Sequence, residues 1–234
     1  VDDGVGEILA TLEKHGLDEN TVVVFTGDQG WMGGQNGFFG MGDHTKPMAA
    51  HDMMMHVPLI FHHPGSIPSG KSDAVVTNCD FLPSVLEYVG LESRIPEKPK
   101  LPGKSYAPIL RGEEVEWPID MYYEMESCRS VRNERWKYVE RRSPEGPGEL
   151  YDLEIDPMER VNLFNQKGYE KIQKEMAEKL YAFFDKYADP EYDIWNGGRS
   201  KARRHHAPAD HPDYREPKPR PWKAAVEKGK IYEK

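Results

Sequence analysis

The 234 residues are 38% apolar and carry a formal net charge of −9, enough chain for one or two domains with a real core and too acidic overall for a general nucleic-acid binder. No run approaches the roughly 18 apolar residues of a membrane span. Two cysteines, Cys79 and Cys128, exclude a disulfide framework or a cysteine metal cluster and are each expected as a free, buried thiol. The charge is uneven: from Asn196 to Lys234 eleven Lys and Arg face five Asp and Glu, so a basic tail follows an acidic body. Val1 stands where an initiator Met would, and the first residues read as the middle of a helix. Any export signal would therefore lie upstream, and localisation stays open, periplasmic or extracellular if such a signal exists.

Val5, Ile8, Leu9 and Leu12 recur at helical spacing and Gly16 follows as a stop, which predicts an amphipathic helix over the first fifteen residues. Thr21 to Phe25 is a continuous β-branched and aromatic run, expected as a strand buried on both faces of a mostly parallel sheet. It ends at Thr26-Gly27-Asp28-Gln29-Gly30. Polar residues at the carboxyl end of such a strand stand where open α/β sheets place their ligand sites. The six glycines from Gly30 to Pro47 predict a long functional loop without regular structure. Ala49 to His56 reads as a short Met-rich helix, Val57 to Phe61 as a second buried strand, and Asp80 as the N-cap of a helix with Phe81, Leu82, Val85, Leu86 and Val89 on its apolar face.

Proline and glycine become frequent between Ser93 and Pro118, which marks a linker or a wrap over the surface. Met121 to Ser127, Cys128 to Asn133, Trp136 to Arg141 and Glu149 to Leu153 follow as short strands of a small antiparallel sheet. Tyr169 to Tyr187 predicts one long helix with Ile172, Met176, Leu180, Phe183 and Phe184 as its core stripe. The expected organisation is α/β, with residues 1–115 as one body, 116–189 as an antiparallel sheet with one helix, and 190–234 as a basic Pro-rich tail.

Several segments in this order resemble the sulfatase family of the alkaline-phosphatase-like superfamily: Leu17 to Gly30 with its Thr26-Gly27-Asp28-Gln29-Gly30 ending, His56-Val57-Pro58-Leu59-Ile60-Phe61 with Pro64-Gly65, Asp80-Phe81-Leu82-Pro83-Ser84-Val85, and Arg135-Trp136-Lys137-Tyr138 followed by Glu149 to Glu159. The resemblance implies the second half of a mostly parallel sheet flanked by helices, plus the C-terminal subdomain. It implies that Asp28 and Gln29 ligate a divalent cation, calcium in the usual case, whose hard-oxygen preference their carboxylate and amide satisfy. The family's sulfate-binding His and Lys correspond to Asn36 and Met41, both neutral. His44 and Lys46, a few residues on, are the candidates to reach the anion instead. His51, His56, His62 and His63 could suggest zinc, against which stands a structural reading of each.

The Cys/Ser-x-Pro/Ala-x-Arg motif that the family converts to formylglycine does not occur in these residues, nor does its N-terminal aspartate pair. The resemblance thus implies that the nucleophile and the rest of the metal site belong to a missing N-terminal half of the same protein. The implied activity is hydrolysis of the sulfate ester of a small molecule or carbohydrate. A phosphoesterase or phosphonate hydrolase of the same superfamily, or a non-catalytic sulfatase-like binding module, are the alternatives.

Overall fold

A computed structural model describes residues 1–42, 45, 47–125, 128–141 and 146–196. The chain opens with helix α1 (Asp2–Lys14), whose Asp2 and Asp3 suit the positive helix start and whose Lys14 suits its end. Strand β1 (Val23–Thr26) follows, then a small hairpin of β2 (Met32–Gly33) and β3 (Phe39–Gly40), the one-turn helix α2 (Asp52–Met55) and strand β4 (Leu59–His62). The long loop expected from the glycines therefore contains a hairpin, with Met32 wholly buried.

β1 and β4 pair antiparallel, Val23 opposite His62 and Val24 opposite Phe61. The sequence predicts a mostly parallel sheet here; the pair formed by the described residues runs the other way. The chain between them turns through a hairpin and a single helical turn, without the long crossover helix that parallel neighbours need. The α/β character stands, because helices flank both faces of the pair. Val23 and His62 line a cleft against α1, while Phe61, on the opposite face, meets Phe81 at 6.2 Å and Tyr106 at 5.7 Å.

Helix α3 (Asn78–Tyr88) begins earlier than Asp80, the expected N-cap. Thr77 is the N-cap, and the Asp80 carboxylate reaches back to accept from Thr77 N at 2.7 Å and Thr77 Oγ1 at 3.1 Å, which stabilises the orphan donors of the first turn. The Pro-rich stretch wraps over this helix. Lys104 N donates to Asp80 Oδ1 at 2.7 Å and Tyr106 N to Ser84 Oγ at 2.8 Å. Gly103 passes so close that a Cβ there would lie 1.9 Å from Cys79 O, a backbone approach only glycine permits. Cys79 itself is exposed and Cys128 buried, so the expectation of two buried thiols holds only for the second. Cys79 misses burial because it sits on the outer side of the first turn of α3.

Helix α4 (Ala107–Leu110) leads into strands β5 (Met121–Met125), β6 (Cys128–Arg132), β7 (Trp136–Arg141) and β8 (Glu149–Asp152), which form an antiparallel sheet in chain order, closed by helix α5 (Glu170–Tyr187). Alternation gives the sheet two faces. One carries Val131, Tyr138 and Leu150 against Met176 and Leu180 of α5. The other carries Cys128 and Val139 against Met48 and Ala50 of the loop before α2. This second face joins the two halves of the chain.

Candidate functional site

Asp28 and Gln29 stand exposed just beyond the carboxyl end of β1. The turn is pinned by Gly30, whose N–H donates to Met54 O at 2.8 Å; a Cβ on Gly30 would fall 2.1 Å from Met53 O. Gln29 directs its amide nitrogen at Met41 Sδ. A carboxylate and an amide oxygen on one open turn are hard donors and fit a hard cation, but such an ion takes six to eight oxygens. Among the described residues no cluster of three or more His, Cys, Asp or Glu is placed to hold a metal.

Asn36 has a left-handed backbone with φ 52°. Its Nδ2 donates to Met158 O at 3.0 Å and Glu159 O at 3.3 Å. The side chain thus ties the β2–β3 hairpin to the loop after β8. Met41 packs at Gln29 and supplies no charge. His44 and Lys46 lie outside the described residues. Between them Thr45 is buried; it donates to Gly42 O at 2.7 Å and accepts from Ala49 N at 3.0 Å.

Among the described residues the four histidines form no metal cluster, and His56 stands exposed at the end of α2. His63 Nδ1 lies 2.6 Å from Tyr88 OH and its Nε2 3.1 Å from Glu19 O, while His62 lines the cleft against α1. His51 is only 3% exposed and joins an ionic cluster on the second face of the sheet. The sheet register sets Arg132 opposite Lys137 and Lys137 opposite Tyr151. Two cations side by side repel, and Asp52 at the start of α2 resolves this. Its Oδ2 accepts from Arg132 Nε at 2.9 Å and its Oδ1 from Lys137 Nζ at 2.9 Å.

The fully buried Lys137 also meets Glu159 Oε1 at 2.6 Å. Glu159 Oε2 accepts from Asp52 N at 2.7 Å and lies 3.4 Å from His51 Nδ1. Burial pushes both carboxyls up, but the surrounding donors outweigh it. Lys137 and Arg132 hold Asp52 below its ordinary value, and His51 and Lys137 do the same for Glu159. At the far end of the same strand, Arg141 pairs with Glu149 of β8 at 2.9 Å and donates to Met48 O at 2.7 Å.

Between this face and the hairpin lies a cleft of about 450 Å³ lined by Asn36, Phe38, His51, Glu149, Tyr151 and Glu159, with Arg160. Sequence reasoning left it unseen. Lys137 alternates with Val139 and Arg141 as a solvent face would, and the acids that neutralise it come from 85 residues upstream and from a loop beyond the sheet. The available signal was the presence of Lys137 and Glu159 within the resembling segments, where neither carried a role.

The family model described as N-sulphoglucosamine sulphohydrolase, C-terminal, matches residues 43–186. An N-acetylglucosamine-6-O-sulfatase of Bacteroides thetaiotaomicron is 31% identical over 207 residues, covering 82% of this chain and 35% of the relative. A solved protein in complex with its substrate D-glucosamine-2-N,6-O-disulfate superposes with a TM-score of 0.69 at 29% identity, over 80% of this chain and 38% of that one. The phosphonate monoester hydrolase of Agrobacterium radiobacter superposes with a TM-score of 0.68 at 27% identity, over 80% of this chain and 40% of that one. The chain thus spans little more than a third of these proteins.

Proposed function

We propose that this chain, which belongs to the sulfatase family as a C-terminal portion, serves the metal-dependent hydrolysis of sulfate esters in an intact protein whose remaining part supplies the nucleophile. The observation that carries the reading is the exposed Asp28 and Gln29 pair at the end of β1, ahead of a matched segment that takes in most of the chain.

In this reading Asp28 and Gln29 hold a divalent cation, calcium by the preference of hard oxygens. When bound, that ion neutralises charge on the sulfate oxygens. Gly30 and the Met54 carbonyl fix the turn so that the two donors are presented together. Asn36 and Met41 offer no cation to the anion, and His44 and Lys46 take that part; hydrogen bonds of this kind stabilise charge that builds in the transition state. The formylglycine motif is not among the 234 residues, so turnover requires a segment beyond them. The substrate is a sulfated small molecule or carbohydrate.

The phosphonate hydrolase among the solved neighbours makes the choice of ester the decisive test. The intact protein, assayed on 4-nitrophenyl sulfate and on phenylphosphonate monoester, is expected to favour the sulfate by at least about tenfold in kcat/KM. A preference of that size for the phosphonate would overturn the sulfatase reading and leave the fold assignment in place.

A further inference from the structure

We propose that Glu159 is a positioning residue of the cation turn: by fastening the start of α2 it holds the carbonyl against which Asp28-Gln29-Gly30 is set, a role that rests on the assignment of Asp28 and Gln29 as cation ligands. The turn has little hold of its own. Both donors are exposed, and Gly30 N–H is anchored on Met54 O at 2.8 Å. A Cβ on Gly30 would fall 2.1 Å from Met53 O, so no side chain cushions the contact and a shift of α2 passes straight to the turn. Met54 also packs with Met32, two residues beyond Gly30. Where α2 sits therefore sets how the two donors are presented.

α2 cannot keep that place alone. Its four residues make a single turn, and a lone turn fixes more backbone than its hydrogen bonds repay. The N-cap His51 gives no side-chain cap, and the Asp52 N–H, one of the orphan donors of a helix start, goes instead to Glu159 Oε2 at 2.7 Å. The Asp52 carboxylate ties the same turn to Lys137 and Arg132. The helix start thus hangs on the sheet and on the loop after β8.

That loop is shaped to bear it. Glu159 is 3% exposed and has a left-handed backbone with φ 54°, which a residue with a long side chain keeps only where its surroundings fix it. Asp156 does so, its carboxylate accepting from Arg160 N at 2.7 Å and Val161 N at 2.8 Å, and its carbonyl from Glu159 N at 3.0 Å. The Glu159 carbonyl in turn accepts from Asn36 Nδ2 at 3.3 Å. One residue therefore grips both neighbours of the cation turn, the hairpin through its backbone and α2 through its carboxylate. Its two carboxylate oxygens divide the work: Oε2 caps α2, and Oε1 pairs with Lys137 at 2.6 Å.

Reach and charge can therefore be separated in the intact protein, titrated calorimetrically with calcium. Glu159→Asp keeps the charge beside Lys137 but withdraws the cap from Asp52 N by one methylene; it should weaken calcium binding at least about tenfold, as loss of a group that orients a metal ligand does. Glu159→Gln keeps the reach and loses the charge, and should stay within about threefold of wild type even where its thermal midpoint is the lower of the two. Leu180→Ala, which loosens α5 on the opposite sheet face, should lower the midpoint and leave calcium affinity unchanged.

Affinity that follows the thermal midpoint across the three variants would overturn the inference and leave Glu159 a structural part alone, as would wild-type affinity in Glu159→Asp. Asp28→Ala distinguishes this from the reading beneath it. Calcium retained in Asp28→Ala would overturn the cation assignment and this role with it; calcium lost there but kept in Glu159→Asp would overturn the role of Glu159 alone.

Discussion

Lys137 shows how much a single side chain can depend on residues far away in sequence. It is fully buried, held by Asp52 and Glu159, and removing one partner of a buried pair leaves an uncompensated charge that costs about 3–5 kcal/mol. Lys137→Met should therefore destabilise the intact protein by an amount in that range in denaturant unfolding. Lys179→Ala, which breaks a half-exposed pair with Asp120, should cost no more than about 1 kcal/mol. Equal effects would contradict the distinction drawn from burial.

The same cluster predicts a pH dependence. Asp52 and Glu159 titrate below 3.8 and 4.5 in the folded chain, so as pH falls the unfolded chain binds protons first. Their contribution is present in full above those ordinary values and is lost as pH falls through the lower, folded ones. The thermal midpoint should drop between about pH 5 and about pH 3, and less steeply in Glu159→Gln than in wild type. A midpoint indifferent to pH across that window would contradict it. At this scale the exposed turn carrying Asp28 and Gln29 was legible because both follow one strand in sequence. The Lys137 cluster was not, because its members come from three separated segments and its one sequence signal, a Lys at an alternating strand position, also describes a solvated residue.

At the scale of elements, periodicity carried most of the reading. The four strands of the antiparallel sheet and α5 lie where alternation and helical spacing put them, because each buries one face against the other. Leu180, at 1% exposure in the stripe of α5, should cost about 2–5 kcal/mol as Ala, measurable by the shift of the unfolding midpoint. Tyr181, on the outer side at 46% exposure, provides the contrast and should cost well below that as Ala.

Two features escaped this logic. Pairing direction is not encoded in a short apolar run, so within a sheet read as mostly parallel the antiparallel register of β1 and β4 was not legible. The start of α3 was placed at Asp80, since an acid at the third helical position and an N-cap carry the same residue type; the bond from Thr77 N decides it.

At the scale of the whole molecule, α1 buries no residue completely, and Ile8, Trp31, Phe39 and Ile60 are each more than half exposed. This fits a chain that spans 35% of its N-acetylglucosamine-6-O-sulfatase relative. The 234 residues expressed alone should accordingly associate, because exposed apolar patches of this kind drive aggregation, and light scattering from a dispersed monomer would contradict that. Of the basic tail, residues 190–196 are described, with Asp193 Oδ1 accepting from Arg129 Nη2 at 2.6 Å, and 197–234 lie outside the described residues. Its charge, opposite to that of the body, predicts that deleting it raises KM for a sulfated polymer more than for a small aryl sulfate, with the gap closing as salt increases; an equal rise for both would assign it a purely structural part.

The central claim is that Asp28 and Gln29 hold the cation of a sulfatase site, and bound metal tests it more directly than rate does. Calcium per mole of intact protein, measured by elemental analysis alongside hydrolysis of an aryl sulfate, should fall from near one to a small fraction in Asp28→Ala, and turnover should fall with it. Full calcium content in a folded Asp28→Ala variant would contradict the account.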